Sequence, residues 1–190
     1  MTIEEAIKQR HSVRKYIHKP LSTEVVRALE EKILECNKEG GLHIQLVTQE
    51  TKAFSGIMSY GKFHGVENYL VMAGQKADNL DERIGYYGEQ LVLLAQALGL
   101  NTCWAGLSYR KVNGAYKIEK GEKLTCMIAL GYGESQGVSH KIKTMEQVSN
   151  ATSNSPSWFR KGVEAALLAP TAINQQKFSF FLQDQKGTKV

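Results

Sequence analysis

The chain has few cysteines, and those it has follow no pattern. Cys36, Cys103 and Cys126 are the only three. An odd number at wide spacing supplies neither a disulfide framework nor a CxxC metal pair. Cys103 and Cys126 sit in apolar runs, where a free thiol behaves as a small buried hydrophobe. The expectation is a reduced, intracellular protein of the cytoplasm. Long apolar runs are missing as well. None approaches the ~18 residues that suggest a membrane span, and Gln96 interrupts the longest candidate, residues 91–100. The opening MTIEEAIKQR has no apolar stretch of the kind a secretory signal carries. Charge of one sign is in modest excess: 24 basic against 19 acidic residues give a net +5. That suits an anionic small ligand, and its scatter gives no ground for nucleic acid as a partner.

Several chemical signatures are absent. No G-x-G-x-x-G follows a strand and opens a helix, since Gly131-Tyr132-Gly133 lacks the third glycine, and there is no Walker A sequence. Neither a Rossmann dinucleotide site nor a P-loop is expected. His11, His43, His64 and His140 are far apart, His18 beside Lys19 reads as surface, and no HExxH or carboxylate cluster occurs. No metal site is expected. There is no G-x-S-x-G elbow, and Cys103 has no cationic neighbour in sequence.

What remains is a chain of 190 residues, 42% hydrophobic and 23% charged, enough for a real core and one ordinary domain. Residues 3–9 read as a short amphipathic helix with Ile3, Ala6 and Ile7 on one side. Ser22 is a good N-cap for a second helix, whose apolar positions Val25, Val26, Leu29, Ile33 and Leu34 recur at helical spacing. Gly40-Gly41 ends that unit. Leu42, Ile44 and Leu46 then alternate with His43, Gln45 and Val47, as in a half-buried strand. Residues 68–74 read as a buried strand and 81–100 as a long helix closed by Gly99. Residues 102–107 predict a strand running into a tight loop, Lys120-Gly121-Glu122-Lys123 a turn, and residues 124–130 another strand. Residues 149–157, rich in Ser, Asn, Thr and Pro, read as a linker. A helix over 158–168, a break at Pro170 and a strand over 178–182 complete the chain. Helices mixed with four or five strands, without a regular βαβ repeat, predict an α+β class. No internal repeat is visible.

Arg10, Ser12 and Arg14 occupy alternate positions between a helix and the Pro20 turn. In an extended segment all three project to one side. Two guanidiniums and a hydroxyl on one face make a phosphate site; the same residues also fit a solvated basic face. Trp104 and Trp158 read as core or interface residues. Tyr86 and Tyr87 open the apolar helix and read as packing residues, with a cofactor edge or a partner subunit as the other use.

Four segments then converge. Arg10-His11-Ser12-Val13-Arg14-Lys15-Tyr16 with Lys19-Pro20-Leu21-Ser22 resembles the start of the FMN-dependent nitroreductase family. Residues 88–104, GEQLVLLAQALGLNTCW, resemble its central helix and following strand. Ala129-Leu130-Gly131-Tyr132-Gly133-Glu134 resembles its late strand and glycine turn. Ala169-Pro170-Thr171-Ala172-Ile173-Asn174-Gln175-Gln176 resembles its Pro-Ser-x-x-Asn-x-Gln motif. That motif usually comes early, after the second helix, where this chain has Cys36-Asn37-Lys38-Glu39-Gly40-Gly41-Leu42-His43. Its place near the C-terminus marks a divergent branch, with Thr171 where serine is usual and Lys177 where proline is usual.

The resemblance implies a three-layer fold, a central, mostly antiparallel sheet flanked by helices, over a single domain 1–190, with residues 149–190 an extension that completes the flavin site or a dimer interface. It implies FMN as cofactor. Arg10 and Ser12 would hold the phosphate, with His11 beside them and Lys141 and Lys143 as a late basic pair. Arg14 would reach the N1/O2 side of the ring. Ala105, Gly106, Leu107 and Ser108 would lie beside the ring near N5. Pro170, Thr171, Ala172 and Asn174 would line the site, from the other subunit in the usual arrangement, and Asn68 and Glu89 would make ring or pocket contacts. The implied activity is NAD(P)H-driven reduction of an acceptor such as a nitroaromatic or quinone, by a ping-pong mechanism in a homodimer, with no metal, membrane or nucleic-acid partner. Two other readings compete: a flavin-binding protein with a non-reductase or regulatory role, and a structural homodimer that has lost its cofactor.

Overall fold

Tyr69 to Gly74 carries no charged side chain, and that run forms the middle of a sheet. The structure is a computed structural model that describes residues 1–56, 59 and 62–183. It divides into two units, Met1–Val138 and Ser139–Val190. The first holds α1 (Ile3–Gln9), α2 (Thr23–Gly40), β1 (Gln45–Val47), β2 (Asn68–Gln75), α3 (Leu80–Ala97), β3 (Asn101–Ala105) and β4 (Glu122–Gly131). The second holds α4 (Met145–Val148), α5 (Ser157–Leu168) and a 3-10 turn, Ala172–Asn174.

The four strands lie in the order β1-β2-β4-β3, every pair antiparallel. The expected α+β class with an antiparallel sheet is what the chain forms. Alternation along the strands sorts the core into two clusters. Leu70, Met72, Ile128 and Leu130 face Leu29 and Ile33 of α2 and Ile84, Leu91 and Val92 of α3. Tyr69, Val71, Met127 and Ala129 face the other way, onto Val13, Tyr16, Phe54 and Val66. Helices therefore cover one face in this unit, and coil segments pack on the other.

Local signals set the helix ends. Thr2 and Glu5 form a reciprocal capping box on α1. The Ser22 hydroxyl accepts from the Val25 N–H at 3.4 Å, as expected of an N-cap. Gly41 ends α2 with φ 57, and Gly99 follows α3 with φ 79, conformations that glycine adopts without steric cost.

Several side chains depart from the sequence reading. Leu34 is 69% exposed, because the buried stripe of α2 runs through Leu29, Ile33 and Cys36 and the next residue after Ile33 turns about 100° away. Ile3 is exposed, and Ala6 is the buried residue of α1. Tyr86 and Trp158 are exposed, whereas Tyr87 and Trp104 pack on the first core. Cys103 is buried, but Cys126 is only partly so. The strand expected over 178–182 does not form: Phe180 makes an isolated bridge to Ser149, and among the described residues the second unit has no strand to pair with it. Phe178, Phe180 and Leu182 still alternate onto a small core of Val148, Phe159, Val163 and Leu167. The polar stretch 149–157 lies within the second unit.

Candidate functional site

The arginine segment is held extended. Arg10 caps α1 with ψ 122 and its N–H bonds the Ala6 carbonyl. Beyond it, Ser12 bridges Thr102 in parallel, and the Val13 N–H donates to the Thr102 carbonyl at 2.9 Å. Val13 and Tyr16 sink into the second core. The Tyr16 hydroxyl donates to the Val13 carbonyl at 2.6 Å, and burial pushes its pKa well up. The late glycine turn lies against the same segment: a Cβ on Gly133 would come within 2.8 Å of Val13 and 2.7 Å of Asn101 Oδ1. Asn101 fixes that turn by accepting from the Gly133 N–H at 3.0 Å.

This register sets the segment of Arg10, Ser12 and Arg14 alongside Cys103 of β3. Burial pushes the Cys103 thiol up, while the Arg14 charge, the Ser12 hydroxyl and the Arg10 charge pull it back. The thiol therefore does have cationic company. Sequence reasoning missed it because strand register, not chain proximity, supplies it. Arg10 is 4% exposed, an unusual degree of burial for an arginine. Its Nε lies 3.5 Å from Glu89 Oε1 on α3, and the Trp104 indole N–H donates to Glu89 Oε2 at 3.0 Å. Burial raises the Glu89 pKa, against the pull of Arg10 and then of Trp104.

Other expected site residues are placed as follows. Ala105 is buried at the end of β3; Gly106 and Leu107 after it are exposed and Ser108 is half-buried. His11 is half-buried, with its Cβ against Gly137. Asn68 is buried at the start of β2, where its Oδ1 accepts the Gln49 N–H at 3.3 Å.

In the second unit, Lys141, Lys143, Thr171 and Asn174 meet around Gln176, which is itself 4% exposed. Gln176 Oε1 accepts the Lys143 N–H at 2.9 Å, and its Nε2 donates to the Lys141 carbonyl at 2.9 Å. The Lys143 ammonium donates to the Gln176 carbonyl at 2.8 Å. Asn174 Nδ2 donates to the Lys141 carbonyl at 2.9 Å, and Thr171 Oγ1 accepts the Gln176 N–H at 3.1 Å. Pro170 is half-buried and Ala172 exposed. Ile173, Asn174 and Gln176 all have positive φ, at 49, 56 and 47, and Ile173 is 96% exposed. A β-branched residue in that region is strained. The motif Asn-x-Gln was the signal for this clasp, although Gln176 was not among the expected site residues.

The donor set of the first unit fits a phosphate: two guanidiniums and a hydroxyl on a segment locked by backbone bonds, one guanidinium withdrawn from bulk water. Among the described residues no group of three His, Cys, Asp or Glu could hold a metal ion. None of their helices is long and apolar enough to cross a membrane.

Comparison with known proteins agrees on one family. The family model described as "Putative TM nitroreductase" matches residues 2–190. No curated protein matches the chain. Among solved structures, a "putative nitroreductase" of Thermotoga maritima superposes with a TM-score of 0.65 at 24% identity, covering 97% of this chain and 73% of that one. A "putative nitroreductase in complex with FMN" from Desulfovibrio desulfuricans gives 0.60 at 18% identity, over 78% of this chain and 95% of that one. The FMN-dependent nitroreductase NfnB of Mycobacterium smegmatis, solved with NADPH, gives 0.52 at 17%, over 69% and 87%. At these identities the structures establish the fold, and the family model, spanning nearly every residue, establishes kinship: this chain belongs to the nitroreductase family.

Proposed function

We propose that the protein is an FMN-dependent oxidoreductase that takes electrons from NAD(P)H and passes them to a small acceptor of nitroaromatic or quinone type, working as a homodimer. The observation that carries this reading is the extended segment that holds Arg10, Ser12 and Arg14 alongside β3, bridged at Ser12–Thr102 and bonded at Val13 N–H to the Thr102 carbonyl, with Arg10 buried. Family membership and relatives solved with FMN and with NADPH support it.

Bound FMN supplies the redox chemistry, exchanging electrons in turn with the nucleotide and the acceptor. The chain binds and orients it. Arg10 and Ser12 take the phosphate, and Arg14 supplies positive charge to the N1/O2 side of the ring, which favours the reduced state. His11, Asn68 and the loop Ala105-Gly106-Leu107-Ser108 frame the cofactor in the first unit. The Pro170-Thr171-Ala172-Asn174 loop and Lys141 and Lys143 also serve a flavin, the loop from the other subunit in the family's usual arrangement, with residues 149–190 completing the site or the dimer contact. The chain would need no acid–base dyad of its own, since the bound cofactor would supply the redox chemistry.

Arg10→Ala removes a charge-assisted bond to the phosphate, so FMN binding should weaken by about 2–4 kcal/mol, as measured by flavin fluorescence titration. Stopped-flow mixing of the FMN-loaded protein with NADH or NADPH tests the reaction itself. Rapid bleaching followed by reoxidation on adding a quinone is expected. FMN binding with no bleaching by either nucleotide would leave a flavin-binding protein in place of a reductase.

A further inference from the structure

Glu89 touches two donors from two other elements. Its Oε1 faces Arg10 Nε, at the end of α1, and its Oε2 accepts from the Trp104 indole on β3. Both neighbours are tightly seated. Arg10 is buried, and Trp104 lies so close to α3 that a Cβ on Gly88 would run into its ring. The approach of Glu89 Oε1 to Nε at 3.5 Å, on a side chain already buried, restrains the guanidinium. An arginine side chain has many rotamers, and ordering it before a ligand arrives removes that cost from binding. The carboxylate also keeps a buried positive charge paired.

We infer that Glu89 is a positioning residue that orients Arg10 for an anionic phosphate, and that it makes no contact with the flavin itself. The inference rests on the assignment of Arg10 to the phosphate. It replaces the ring or pocket contact that the sequence suggests for Glu89. The opposing effect is repulsion, because a carboxylate near a phosphate lowers affinity through space. Positioning dominates here, since Glu89 shares its charge with both the guanidinium and the indole N–H.

Riboflavin separates the two roles, because it carries the same ring without the phosphate. Flavin-free protein is titrated with FMN and with riboflavin, in the wild type, Glu89→Gln, Arg10→Ala and the double variant. Glu89→Gln keeps the side-chain shape. It should lower the FMN-over-riboflavin preference at least tenfold and leave riboflavin affinity within about twofold. In the Arg10→Ala background the same change should have no further effect on the preference. A general disturbance of the fold would weaken both flavins equally and overturn the inference. An unchanged or increased preference in Glu89→Gln would overturn it too. If the wild type shows no preference for FMN, the phosphate assignment of Arg10 fails instead. Trp104→Phe keeps an aromatic side chain, smaller than the indole, and removes the N–H, so it should reproduce part of the Glu89→Gln loss.

Discussion

A helix, a loop and an extended chain follow one another at α2 in the first unit and at α5 in the second, and the two versions are built differently. In both helices the seventh and eleventh residues are buried: Leu29 and Ile33 in α2, Val163 and Leu167 in α5. After α2 the chain turns through Gly41 and is fastened by Asn37, which bonds both the N–H and the carbonyl of Ile44, at 2.7 and 2.9 Å. It then joins the sheet as β1. After α5 the turn is made by Ile173, Asn174 and Gln176, none of them glycine, in the left-handed region. A side-chain clasp on Lys141 and Lys143 holds it, and among the described residues no strand follows. The first version spends its sequence on burial and ladder bonds. The second keeps a strained, exposed loop fixed by polar bonds, the arrangement expected where side chains must be presented rather than hidden.

Five substitutions test that contrast. Leu29→Ala should cost about 2–5 kcal/mol of global stability, read as a shifted denaturation midpoint. Val163→Ala, at the matching position of the smaller core, should lower the protection of the second unit in hydrogen exchange and leave the β2 and β4 amides unchanged. If both variants shift one common transition, the units do not melt separately and the contrast fails. Gln176→Ala comes next. It strips the Lys143 N–H of its partner, a loss of about 1–3 kcal/mol, visible as faster exchange at residues 141–143 and 171–176. The smallest effects are opposite in sign. Ile173→Gly should stabilise by up to about 1 kcal/mol by relieving a left-handed β-branched residue, whereas Gly41→Ala should destabilise by about 1–2 kcal/mol. Thermal melts compare the pair, and equal signs would mean that backbone strain does not distinguish the loops.

Elements with strong periodicity were legible. The buried run of β2, the Ser22 cap and the glycine after α3 all follow from local pattern, and they lie where the sequence puts them. Leu34 misled because two adjacent apolar residues both fit a helical stripe only about 100° wide. Residues 178–182 alternate as a strand does, but a strand also needs a neighbour, and no local signal reports its absence. The alternation of Arg10, Ser12 and Arg14 was readable. Their meeting with Cys103, Glu89 and Trp104 was not, because it depends on the parallel register of Ser12 with Thr102. The four-residue helix α4 is too short to leave a period.

That parallel register has a second effect. β3 is an outermost strand of the sheet, and the stretch around Val13 lies along it, occupying the Thr102 carbonyl. Bare rims recruit foreign chains and seed insoluble polymers. The stretch that carries the guanidiniums is thus also a selvedge: a variant that frees it from the rim would lose solubility.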